Sequence, residues 1–200
     1  MNHFETFLMT FDLGRSMYLK SIVRDLQKLA QLPSGKKILE IGCGNGIGTR
    51  LIDETFKPGR FVATEYDESL VAIARSKNAG SKVQIETGDA ARLRFENGEF
   101  EIIVGLSVIH HIPNWKNCLD ELHRVLKPGG LLIIKELSLD TFSTPFGRIA
   151  RHIVEHPYDD MFRKDEFIAY LERRGFEVLV CRPHSMLYLL TDFYLVAKRS

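Results

Sequence analysis

Residues 38–49, ILEIGCGNGIGT, constrain this chain more than any other stretch. A short β-branched, apolar run ends in a carboxylate, Glu40, and glycine then fills every second position from Gly42 to Gly48. Apolar runs of this kind are strands buried on both faces. Glycines crowded behind one let a backbone come very close to a ligand or to a neighbouring element. The stretch therefore predicts a strand–loop–helix unit of an α/β fold, with its loop at the carboxyl end of the strand.

The rest of the chain repeats that rhythm. KILEIG, RFVATEY, KVQIETGD, FEIIVGLSVI and GLLIIKEL read as buried strands,. Helical stretches lie between them: Asn45 to Phe56 up to the KPGR turn, ESLVAIARSKN behind a capping Asp67, and Asn114 to Leu126 up to KPGG,. Alternation of this kind implies right-handed crossovers and a parallel sheet. Ahead of it, Phe4, Phe7, Leu8 and Phe11 share one helix face, and Gly14 ends that pattern. Leu19, Ile22, Val23, Leu26, Leu29 and Ala30 form a second helix that stops at Pro33-Ser34-Gly35,. At the far end a helix over Lys164 to Arg174 precedes FEVLVC and FYLVAK, two strands joined by about ten residues that should pair antiparallel,. Residues 138–163 form a long excursion, of the sort that commonly serves as a lid or binding segment,. One domain over residues 1–200 is expected, with 1–31 and 138–163 forming a cap,.

The glycines do not spell a dinucleotide fingerprint, which needs glycine at i, i+2 and i+5. Starting at Gly42 the third position is Ile47, and starting at Gly44 it is Thr49. No Gly-Lys-Ser/Thr follows, so a phosphate loop fails as well. No Lys or Arg lies between Glu40 and Thr49 to meet a pyrophosphate. Two readings stay open: a turn that merely lets a helix pack on a strand, or a cradle for an adenosine ligand with a cationic tail. Glu65 ends the second strand and could accept from both hydroxyls of a ribose. Tyr66 offers a ring to an adenine face, and Asp89, in TGDA, could accept from its exocyclic amine,.

Taken in order, ExGxGxG (Glu40 to Gly46), the acid Glu65, GDA (Gly88 to Ala90), FEIIVGLSVIHHI and LxRVLKPGGLLII resemble the class I S-adenosylmethionine-dependent methyltransferases. The likeness is greatest to the small-molecule, ubiquinone/menaquinone-biosynthesis-like type, and it covers roughly residues 36–137 in motif detail. It implies a doubly wound Rossmann-like sheet of seven strands in the order 3-2-1-4-5-7-6, the last strand antiparallel, with helices on both faces. It also implies S-adenosyl-L-methionine as cofactor. Glu40 and the backbone of Gly42 and Gly44, in the loop that runs to Gly46, would face its methionine part. Glu65 would hold the ribose, Tyr66 would cover the adenine, and Asp89 with the backbone of Ala90 would read the adenine edge. Leu106 and Ser107 would sit near the sulfonium. Glu65 stands where the family often has aspartate.

Candidates for handling a proton are His110, His111 and Glu136, at the sheet's carboxyl edge, and His152, His156 and Tyr158 in the excursion,. Each has a plainer reading: a packed loop histidine, a hydrogen-bonded strand end, a solvated helix. His152 and His156 are spaced for one helix face, yet no further metal ligands accompany them, so no metal is expected. Trp115 reads as a packing anchor. The turn Asn/Asp-Pro-Pro-Tyr/Phe of base-amine methylation is replaced by GLSVIHHIPNW. The expected acceptor is therefore small and partly apolar, beneath a cap to which Phe4, Phe7, Phe11, Phe142, Phe146 and Phe162 contribute unless they are ordinary core.

A net charge of +1, without a basic stripe, argues against nucleic acid,. MLYLLTDFYLVA, the best membrane candidate, is interrupted by Thr191 and Asp192, and the N-terminus shows no secretory pattern,. Three scattered cysteines (Cys43, Cys118, Cys181) suit a reducing cytoplasm, with the chain a monomer or homodimer,. The alternatives are a cofactor-binding protein without turnover, a methyltransferase acting on protein or RNA, and a nicotinamide-dependent oxidoreductase.

Overall fold

The computed structural model describes residues 12–152, 157–186 and 190–200. Seven strands form one sheet: β1 Lys37–Ile41, β2 Arg60–Glu65, β3 Gln84–Thr87, β4 Phe100–Leu106, β5 Leu126–Glu136, β6 Phe176–Met186 and β7 Leu190–Arg199. Their order is β3-β2-β1-β4-β5-β7-β6. β1 pairs in parallel with both β2 and β4, while β7 runs antiparallel to β5 on one side and β6 on the other. That is the expected sheet. The order reverses direction between β1 and β4, and in such sheets the crevice outside the carboxyl ends at that point is where ligands bind.

Six α-helices are described: α1 Asp12–Ala30, α2 Ile47–Phe56, α3 Glu68–Lys77, α4 Trp115–Val125, α5 Pro145–Arg151 and α6 Lys164–Arg173. Two apolar layers sandwich the sheet. On one face Leu39, Ile103, Leu132, Ile134 and Leu195 pack with α4, α6 and Phe162. On the other, Ile38, Ile102, Val104, Ile133 and Val196 pack with Ile22, Val23 and Leu26 of α1 and Ile52 of α2. Each such side chain contributes roughly 1.5–3 kcal/mol when fully buried, which is why β1 and β4 alternate between two apolar layers instead of between core and water. Asp67 caps α3 as expected, its Oδ1 accepting from the Ser69 and Leu70 amides. No helix among the described residues is long and apolar enough to cross a membrane.

Three expectations are corrected. α1 already starts at Asp12, so Gly14 lies inside a helix instead of ending one; the helix expected over Phe4 to Phe11 falls outside the described residues. The last two strands do not stop at Cys181 or start at Phe193. They remain paired as far as Met186↔Leu190, which leaves only residues 187–189 between them. Pro183 does not interrupt the pairing, because β6 is an edge strand, where a missing backbone donor is tolerated,. Finally, β5 begins at Leu126 and runs through KPGG, with its register against β4 shifting between Phe100 and Ile102.

The excursion is folded. A short 3-10 helix, Leu139–Ser143, leads into α5, and the Thr144 hydroxyl accepts from the Gly147 amide,. Phe162, offered above as a cap residue, is fully buried against Trp115 and Phe167 and belongs to the core. Trp115 is the packing anchor its sequence position suggested, also meeting Tyr170 edge-on.

Candidate functional site

The loop after β1 has Gly42, Gly44 and Gly46 all at positive φ, and Gly46 is the N-cap of α2. Two of the three glycines are required for different reasons. A Cβ on Gly42 would lie 2.1 Å from Cγ2 of Val108, so the β1 loop is pressed against the loop after β4. A Cβ on Gly44 would meet nothing within 4 Å, so the space over Gly44 is open to a ligand.

Carboxylates line this loop. Glu40 is 1% exposed, and its Oε2 has no hydrogen-bond partner. Burial pushes its carboxyl up to about 8; the Thr49 hydroxyl pulls the other way and the charge of Glu65 adds to the rise,. Glu65, at the end of β2, accepts the Gly44 amide on Oε2 (2.8 Å) and the Tyr66 and Asp67 amides on Oε1 (2.8 and 3.2 Å). Oε2, with one amide donor, retains a lone pair, so the carboxylate can still accept from a ribose hydroxyl,. Tyr66 beside it is 78% exposed. Asp89 is exposed and accepts the Ala91 amide, with Ala90 buried beneath the turn. Burial pushes the Cys43 thiol up, and the charges of Glu40 and Glu65 add to that, so the thiol stays protonated,. An acid-lined cradle with an unpartnered buried carboxylate oxygen fits a ligand bearing an ammonium or sulfonium group,.

Two adjacent residues of β5 pin the loop after β4, one from each face of the sheet. On the α1 face, Lys135 Nζ donates to the Ser107 hydroxyl at 2.8 Å, and the Ser107 amide donates to the Lys135 carbonyl at 2.7 Å. These bonds hold Ser107 at φ 59, a conformation that costs a non-glycine residue about 1–3 kcal/mol,. On the α4 face, fully buried Glu136 accepts from the Val108 amide at 3.1 Å and the Ile109 amide at 2.7 Å on Oε2. Its Oε1 meets His110 Nδ1 and accepts from the Leu137 amide at 3.0 Å. Burial alone would raise the Glu136 carboxyl, but His110 and the Leu137 and Ile109 amides prevail and hold it below the ordinary range,. His110 is buried, while His111 is exposed with its ring 4.0 Å from that of His110.

The sequence reading missed three residues. Lys135, inside GLLIIKEL, binds Asp192 Oδ2 at 2.7 Å, and Asp192 Oδ1 lies 2.5 Å from His184 Nδ1. Lys135 and Asp192 are 7% and 4% exposed. The one available signal was charge inside two apolar strands: Lys135 in β5 and Asp192 in β7. Of the excursion candidates, His152 is exposed, Tyr158 meets Phe142 edge-on at 5.0 Å, and His156 falls outside the described residues.

A parallel α/β sheet with an acid-lined glycine cradle at its switch point, completed by an antiparallel seventh strand, defines a Rossmann-like domain. Residues 39–134 match the methyltransferase domain family. The chain is similar to a probable S-adenosylmethionine-dependent methyltransferase of Mycolicibacterium smegmatis, 31% identical over 153 residues, which are 76% of this chain and 56% of that protein. It is similar also to the demethylmenaquinone methyltransferase of Staphylococcus carnosus, 30% identical over 118 residues, 58% of this chain and 49% of that one. The chain thus spans about half the length of these curated relatives. In fold it matches an S-adenosylmethionine-dependent methyltransferase of Mesorhizobium loti, with a TM-score of 0.70 and 20% identity, covering 88% of this chain and 96% of the other. Over residues 39–134 the chain therefore carries a methyltransferase domain similar to that of S-adenosylmethionine-dependent relatives.

Proposed function

We propose that the chain binds S-adenosyl-L-methionine in the crevice over β1, β2 and β4 and moves its methyl group to a small, partly apolar acceptor. The observation that carries this is Glu40: a buried carboxylate with an unpartnered oxygen, next to a glycine loop open over Gly44. In this reading Glu40 and the backbone of Gly42 and Gly44 hold the methionine part, with Gly46 starting α2 behind them. Glu65 holds the ribose, Tyr66 covers the adenine, and Asp89 and Ala90 read its edge. Leu106 and Ser107 face the sulfonium. The bound cofactor supplies an electrophilic methyl group on sulfur.

The chain's own work is to orient the acceptor and exclude water, which supply much of the rate of an in-line transfer. Glu136 has both oxygens engaged by the loop it pins, so its role is to position that loop. His110 is tied to it through Nδ1. His111, exposed at the rim, is the one of the pair able to meet an acceptor. Residues 1–31 and 138–163 form the cap of a single domain, and the similarity to a demethylmenaquinone methyltransferase supports an acceptor with an apolar part. A cytoplasmic site of action goes with this reading.

The test is thermal unfolding with S-adenosylmethionine, S-adenosylhomocysteine and NAD, each at about 100 times its expected dissociation constant. A ligand held by the folded state alone adds about 2.7 kcal/mol, roughly 5–10 °C for a chain of this size. Shifts with the two sulfur compounds and none with NAD are expected. No shift with either sulfur compound would remove the assignment. Methyl transfer from labelled cofactor to an extract then separates an enzyme from a binding protein.

A further inference from the structure

The residues that pin Ser107 do not end at Lys135. Ser107, Lys135, Asp192 and His184 form a continuous hydrogen-bonded line from the loop after β4, across β5 and β7, to β6. All four lie at the carboxyl edge, because β6 runs parallel to β5 and the antiparallel β7 starts there. Lys135 and Asp192 are buried, while the His184 side chain keeps 21% of its surface. Of the three ionisable members, His184 alone is exposed enough to exchange protons freely with water. Asp192 engages Nδ1, which fixes the tautomer and leaves Nε2 as the nitrogen that can accept.

We propose that this line couples the proton affinity of His184 to the charge on the cofactor's sulfur. The proposal rests on the methyltransferase reading above, which sets the sulfonium beside Ser107. With His184 neutral, the charges of Lys135 and Asp192 cancel. With His184 protonated, the cluster carries one net positive charge next to a cationic sulfur, which Coulomb repulsion disfavours. During transfer the acceptor's lone pair forms the new bond to the methyl carbon, and the C–S bond breaks with its electron pair remaining on sulfur. The loss of charge at sulfur removes that repulsion, so the proton affinity of His184 rises once the methyl group has left. Lys135 and Asp192 are positioning residues in this scheme.

The other groups around His184 do not compete for the proton. Tyr194 of β7 stacks on the ring at 4.6 Å, and Tyr18 of α1 lies at 6.0 Å. Burial raises both phenols, with Asp192 adding to the rise at Tyr18 and Asp25 and Asp192 at Tyr194, so both stay neutral. Arg182, paired with Tyr194 across the strands, is exposed.

The experiment needs no acceptor. Histidine imidazole resonances are followed by NMR in the full chain, with His184 assigned by its absence from His184→Gln, and titrated with saturating S-adenosylmethionine or S-adenosylhomocysteine. The His184 midpoint is expected about one pH unit higher with the neutral thioether than with the sulfonium, the effect of a unit charge on the order of 10 Å away at an effective dielectric of ~20. Asp192→Asn is expected to lower the midpoint in both complexes. Equal midpoints in two complexes shown by calorimetry to be saturated overturn the coupling and leave the methyltransferase reading standing. Failure of both ligands to bind removes that reading, and the coupling with it.

Discussion

Glu40 sets the first consequence at the scale of single residues. Its carboxyl titrates near 8 in the ligand-free fold, against an ordinary value of 4.5. A raised acid keeps its proton in the folded state over that window, so its contribution to stability is complete below about 4.5 and is lost as pH rises through about 8. A cationic ligand tail favours the ionised form, so binding near neutral pH must expel a proton. Calorimetry of S-adenosylmethionine binding in buffers of different ionisation enthalpy is expected to show release of about one proton at neutral pH. In Glu40→Gln the release disappears and affinity falls, while the unliganded variant at pH 8 is no less stable than the parent. Gly42 and Gly44 make a second contrast. Gly42→Ala must displace Val108 as well as strain φ, at a cost of about 3 kcal/mol or more in unfolding free energy,. Gly44→Ala is strained but unobstructed, at about 1–2 kcal/mol, and its loss should show chiefly in cofactor affinity,. Both positions were legible in the sequence as glycines after a strand. Which of them meets protein and which meets open space was not, because Val108 arrives from a distant part of the chain.

Among the elements, β5 organises the site. Strand side chains alternate between faces, so consecutive Lys135 and Glu136 reach the loop after β4 from opposite sides. Removing Glu136 strands the Val108 and Ile109 amides and the His110 ring in the core. Glu136→Ala is expected to lose about 3–5 kcal/mol in urea unfolding, as buried pairs do when one partner goes. Because the folded carboxyl titrates below its unfolded value, its contribution is present above the ordinary carboxylate range and is lost as pH falls through the folded value,. The stability difference between parent and variant should therefore shrink as pH falls below the ordinary carboxylate range,. The strands were readable from their β-branched runs, and α3 from its cap at Asp67. Gly14 misled, because glycine disfavours a helix in isolation yet is tolerated within a long amphipathic one, much as Pro183 is tolerated on an edge strand,.

Across the molecule, the glycine cradle and the acids beside it could be read from one stretch of sequence and two strand ends, since strand, loop and acid are local. The far wall could not. Lys135, Asp192 and His184 come from three strands, and only the β5-β7-β6 order brings them together. That order also sets the sequence of assembly. β6 cannot dock on β5, because the last strand must lie between them. Deleting residues 190–200 leaves the LLIIKE edge of β5 unpaired and Lys135 without its carboxylate. The shortened chain is expected to elute as aggregate in size-exclusion chromatography. As the ribosome delivers the chain from its amino end, the glycine cradle, Glu65, Asp89 and the whole parallel half of the sheet exist before the wall opposite them does. The pocket is therefore completed only when β7 is threaded between β5 and β6, and until then the nascent chain holds its parts without the wall that closes them,.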